Sequence, residues 1–169
     1  MKTKKETIVF NHLGFPIVLI EWPHIEIDNR WEPDVNYEAL EHLVFELLPY
    51  KPSRLTGAEI KFIRSHLEMT QAQFAKWLQD IKDPSTIAIW EKFDLNQTNI
   101  DPAMEKSLRL QLIVYINEKN RKKTIQTEIL TNVSHYVNQK KKFDLKLDSR
   151  SFFPIPKKLE ITKIAAAYA

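Results

Sequence analysis

The sequence contains no cysteine. Disulfides, thiolate zinc sites and cysteine nucleophiles are therefore excluded. It has only two glycines, Gly14 and Gly57, far apart in the chain. A phosphate-cradling loop needs several close together, so nucleotide-loop chemistry is not expected. No apolar run approaches the roughly 20 residues of a membrane span. The basic start Met1-Lys-Thr-Lys-Lys-Glu6 leads into no long apolar stretch, because Asn11 and His12 interrupt early. A secretory signal is not expected, and the composition is compatible with a reducing cytoplasm.

What is present suits a folded protein. The chain has 169 residues, 43% of them hydrophobic and 11% aromatic, which is enough to bury a core. The formal net charge of +3 is unevenly spread. From Lys119 to Ala169 there are 12 Lys and Arg against 4 Asp and Glu, so the rest of the chain is net acidic. Such a segment attracts polyanions, nucleic acid first among them. The same lysines also serve as an ordinary solvated surface.

The pattern along the chain predicts an α+β fold. Thr7–Phe10, Ile17–Ile20 and Ile25–Ile27 read as short strands, with turn chemistry at Gly14 and Pro16. Residues 34–48 read as a helix capped by Asp34 or Asn36 and ended by Pro49 and Pro52. Four shorter helices follow. Thr56 and Glu59 have capping-box spacing, Thr70 caps the second, and Asp83-Pro84 and Asp101-Pro102 start the third and fourth. Ile125, Ile129, Val133 and Val137 suggest a further helix, and Phe143, Leu145 and Leu147 a strand. The expected organisation is a strand-and-helix module over 1–52, a helical domain over 53–118, and a basic extension over 119–169.

Catalytic and metal chemistry find little support. The histidines are scattered, and His24-x-Glu26-x-Asp28 reads better as a polar strand face than as a metal site. Paired carboxylates such as Glu38 and Glu41 show no sign of convergence. No catalytic residue, metal or cofactor is expected. Trp31 lies in Asn29–Pro33, which reads as a loop, so it is a candidate partner anchor.

The segment Leu55–Leu112 carries LTGAEIKFIR at 55–64, MTQAQFAKWL at 69–78 and TIAIWEK at 86–92. It resembles the Xre-type (lambda-repressor-like) helix-turn-helix, as found in the DNA-binding half of bacterial antitoxins and antitoxin-like regulators. The resemblance implies a regulator that docks its second and third helices on double-stranded DNA, as a homodimer on a pseudopalindrome. The site residues it implies are Gln71, Lys82, Ser85, Thr86, Ile89 and Lys92. Ala75 would permit close helix crossing, Ile87 and Trp90 would anchor the third helix, and the N-terminal module would hold a partner, toxin-like in an antitoxin. Some features depart from the family. The turn after Leu78 is longer and lacks a glycine, Phe93 stands where a glycine commonly ends the third helix, and that helix bears few base-reading side chains. Those departures leave a second expectation open: an interaction or scaffold protein whose helix-turn-helix no longer reads DNA.

Overall fold

A computed structural model describes residues 3–79, 81, 83–119, 133–138 and 145–149. It is α+β and divides into two compact units, residues 1–41 with 144–169, and residues 42–143.

The first unit is a four-stranded sheet built on β2 (Ile17–Ile27). Strand β1 (Thr3–Phe10) pairs antiparallel along one side of it. The other side is shared. β3 (Arg30–Pro33) pairs antiparallel with residues 24–27, and β4 (Leu145–Asp148) pairs parallel with residues 17–20. The expected strand around Leu145 is thus present, but it belongs to the N-terminal sheet rather than to a separate extension. Asn29–Pro33 is not a loop. Asp28 and Asn29 both adopt positive φ, at 50° and 60°, which turns β2 tightly back into β3.

Alternation along β2 breaks once. Ile17 and Leu19 are buried, and beyond the break Trp22 and His24 are. The register shifts between Glu6 and Ile8 of β1, so Ile20 and Glu21 together face Thr7. Glu21 takes φ +49°, and its amide donates to the Thr7 hydroxyl at 3.3 Å. A bulge of this kind absorbs one extra residue and keeps the apolar side chains on one face. Pro23 follows directly, at a place where a strand tolerates the loss of a donor. Ser149 closes the end of β4 by donating its hydroxyl to the Glu21 carbonyl.

Helix α1 (Tyr37–Leu47) begins as expected, with the Asn36 side chain accepting from the Ala39 amide at 3.0 Å. The second unit is helical. After a 3₁₀ turn at Leu48–Tyr50 come α2 (Gly57–His66), α3 (Gln71–Trp77), α4 (Ser85–Glu91) and α5 (Pro102–Lys119). Helices α2 and α3 each start with a complete capping box, Thr56 with Glu59 and Thr70 with Gln73. Among residues 133–138, Val133 and Val137 are buried. The rest of the helix expected around Ile125 lies outside the described residues. No helix among the described residues is long and apolar enough to cross a membrane.

Candidate nucleic-acid interface

Helix α4 has a buried side and an open side. Ile87 is 0% and Trp90 6% exposed, whereas Ile89 is 49% exposed and Ser85 and Lys92 are exposed too. At 3.6 residues per turn, positions 85, 89 and 92 lie on one face and 87 and 90 on the other. The start of the helix is set by Asp83, whose carboxylate accepts from the Ser85 amide at 2.8 Å. Hydrogen bonds from the Ser85 amide and hydroxyl hold the Asp83 carboxyl below its ordinary value.

Four side-chain ties orient α2, α3, α4 and α5. Arg64 of α2 donates to Glu91 through Nε at 2.6 Å and a terminal nitrogen at 3.2 Å, a bidentate pair. Its other nitrogen donates to the Met69 carbonyl at 2.8 Å, in the turn before α3. Gln71, the first residue of α3, donates its side-chain amide to Glu91 at 2.8 Å. One carboxylate at the end of α4 therefore holds α2 and α3 together. Gln111 of α5 donates to the Trp77 carbonyl at 2.5 Å, which fixes the far end of α3.

Helices α2 and α4 approach closely at Gly57. A Cβ there would lie 2.6 Å from the Trp90 carbonyl oxygen, 2.6 Å from the Asp94 amide nitrogen and 2.8 Å from the Glu91 carbonyl oxygen. The start of α2 thus sits against the backbone at the end of α4, and only glycine fits. Ala75 of α3 is buried as expected, and Gly57 adds a backbone-to-backbone contact between α2 and the end of α4. The Ala58 amide donates to the Asp94 carbonyl at 2.8 Å, and Asp94 takes φ +48° to present it. Gln79, at φ +62°, ends α3 in the left-handed conformation that a glycine would otherwise supply.

A second polar cluster holds the unit from inside. Arg109 of α5 is 0% exposed. It donates to the Pro49 carbonyl at 3.2 Å, the Lys51 carbonyl at 2.7 Å, the Ser53 carbonyl, and Glu105 at 2.8 Å. Glu105 also accepts from the Leu55 amide and from Arg54 Nε, each at 3.0 Å. Buried Lys51 donates to both oxygens of Glu59, at 2.7 and 2.9 Å, while Glu59 completes the capping box of α2. The proline-rich segment before α2 has no regular ladder, so α5 side chains satisfy its carbonyls. Burial pushes the Arg109 guanidinium below its ordinary value, against the opposing pull of Glu105.

The expected contact residues divide as follows. Ser85, Ile89 and Lys92 share the open face of α4, and Thr86 is half-buried beside them. Gln71 is half-buried, with its amide engaged by Glu91. Lys82 lies outside the described residues. Lys76 of α3 is exposed. Sequence reasoning missed Arg64, Gly57 and the Arg109 cluster. Only the Glu105–Arg109 spacing of four along a helix carried a local signal of any of these. His24, expected on a polar strand face, is buried, with Nδ1 donating to the Trp22 carbonyl at 2.9 Å. Among the described residues no group of three His, Cys, Asp or Glu is arranged to hold a metal.

No protein-family model, curated protein or solved structure matches this chain.

Proposed function

We propose that the helical unit binds double-stranded DNA through α3 and α4, and that the protein is a cytoplasmic transcriptional regulator, dimeric on a pseudopalindromic site. The carrying observation is the two-sided α4. Ile87 and Trp90 pin it from behind, and Ser85, Ile89 and Lys92 face outward. A helix held in that way is suited to the major groove, with its first residues nearest the base edges. Ile89 has the chemistry to meet a thymine methyl, and Lys92 and Lys76 to meet phosphate. An antitoxin-like role, with a toxin-like protein held by the N-terminal sheet, belongs to the same reading.

Fluorescence anisotropy on DNA from the protein's own upstream region, at low and high salt, tests this. Binding is expected to be sequence-specific and to weaken with salt. Lys92→Ala is expected to weaken binding on all sequences and to lower the salt slope by about 1, and Ser85→Ala to alter preference at one base step. Absence of any specific binding at low salt would sink the reading. That outcome favours a protein-interaction module with the same helices. Exposed Ile89 and Leu95, and the engagement of Gln71 by Glu91, support this second reading.

A further inference from the structure

The open face of α4 is poor in the groups that ordinarily read base edges. Arg, Asn and Gln do so through paired hydrogen bonds, and the face has none of them. On α3, Gln71 has its side-chain amide on Glu91, and Gln73 accepts from the Thr70 amide at 2.8 Å through its side-chain oxygen. From Asp83 to Lys92 the exposed residues are Asp83, Pro84, Ser85, Ile89 and Lys92. Ile89 is the one large apolar side chain of the helix left outside, since Ile87 and Trp90 are buried. The apolar feature that a base edge presents in the major groove is a methyl group on C5 of a pyrimidine.

We propose that α4 reads 5-methylcytosine in double-stranded DNA, with Ile89 covering the C5 methyl and Ser85 accepting from the N4 amino group beside it. Ser85 and Ile89 stand one turn apart on one face. A helical side chain leans toward the N-terminus of its helix, so the end of Ile89 comes over the turn that Ser85 opens. The Ser85 hydroxyl has its proton on the Asp83 carboxylate, which leaves its lone pairs to accept. Cytosine offers a donor at that edge, whereas thymine offers the O4 acceptor. A cytosine methylated at C5 therefore satisfies both side chains. Unmethylated cytosine leaves Ile89 without its apolar contact, and thymine sets an acceptor against the Ser85 oxygen. Exposed Lys76 and Lys92 supply positive charge for the phosphates. Cytosine methylation is then the signal that raises occupancy of the site.

The inference rests on the DNA reading above and names its target. The test selects sites for the full chain from a random duplex library made in two forms, with cytosine or with 5-methylcytosine throughout. Enriched sites are then compared by fluorescence anisotropy as matched duplexes carrying 5-methylcytosine, cytosine or thymine at each pyrimidine in turn. At one step, loss of the methyl is expected to weaken binding about fourfold or more, the effect of one buried methyl group. Thymine at that step is expected to bind more weakly than 5-methylcytosine. Ile89→Ala, at an exposed position, is expected to bind methylated and unmethylated duplexes alike. Ser85→Ala is expected to take thymine as well as 5-methylcytosine. Enriched sites that bind equally with and without the methyl overturn this inference and leave the DNA reading standing. So does a methyl effect that survives Ile89→Ala, or one carried by thymine alone. Enrichment from neither library overturns both readings and leaves the α4 face to a protein partner.

Discussion

The two units hold themselves together in different ways. The helical unit is organised around buried polar groups. Arg109 and Glu105 satisfy the segment before α2, Lys51 and Glu59 close its cap, and Arg64 joins α2 to α4 through Glu91. The sheet unit relies on pleat and register, with a single bulge to keep its apolar residues aligned. A sheet satisfies its backbone by strand pairing, so its side chains are free to be apolar on both faces. Short helices with irregular connections leave carbonyls and amides over, and charged side chains must meet them. Replacing one member of such a cluster strands the others in a dry environment, whereas replacing one member of a sheet face removes only its own contacts.

Arg109→Met presses hardest on this contrast. It takes Arg109 from buried Glu105, which keeps Arg54 as a cationic partner, and leaves three carbonyls facing an apolar neighbour. The expected loss is about 3–5 kcal/mol by urea denaturation. A loss below about 1 kcal/mol would mean that the cluster is not what holds the helical unit. Gly57→Ala follows, since its methyl has backbone on three sides and no flexible side chain to push aside. A cost of about 1–3 kcal/mol is expected, and an unchanged thermal midpoint would show that α2 and α4 separate easily.

Tyr50 gives the contrast a pH signature. Burial, with a smaller contribution from Glu46, raises its hydroxyl to about 12 from an ordinary 10.0. Between those values the unfolded chain has lost the proton and the folded chain keeps it, so stability falls as pH rises. The slope approaches about 1.4 kcal/mol per pH unit from this group. Tyr50→Phe is expected to flatten that alkaline limb in denaturation curves taken on either side of pH 10, and an equally steep limb would remove Tyr50 as its source. The smallest change belongs to the sheet. Glu21 occupies a left-handed bulge position, so Glu21→Gly is expected to stabilise by about 0.5 kcal/mol, relieved strain set against chain entropy. A measured loss instead would show that the Glu21 side chain has a role beyond filling the bulge.

Much of the helical unit was legible because its signals are local. Thr56 with Glu59, Thr70, Asp83 and Asp101 mark helix starts within three or four residues of the groups they satisfy. Ile87 and Trp90 stand three apart and are buried together. The Asp28–Asn29 turn carries no glycine, so no local signal in the sequence marks the strand that follows it. The role of Gly57 depends on where α4 ends, some 35 residues later, and no spacing rule carries that. Gln71 lies where the family resemblance expects a contact, yet its amide is engaged by Glu91, which is twenty residues away in sequence.

The sequence by itself determined the elements: which residues cap, which repeat at 3.6 or at 2, and that no cysteine chemistry is available. These follow from interactions a few residues long, which the chain specifies wherever it lies. Only the tertiary structure decided that Leu145–Asp148 joins a strand laid down more than a hundred residues earlier, that Arg109 serves the segment before α2, and that Gly57 meets the end of α4. Contacts of that kind depend on the sum of many burial and loop-closure terms, and no single residue carries them.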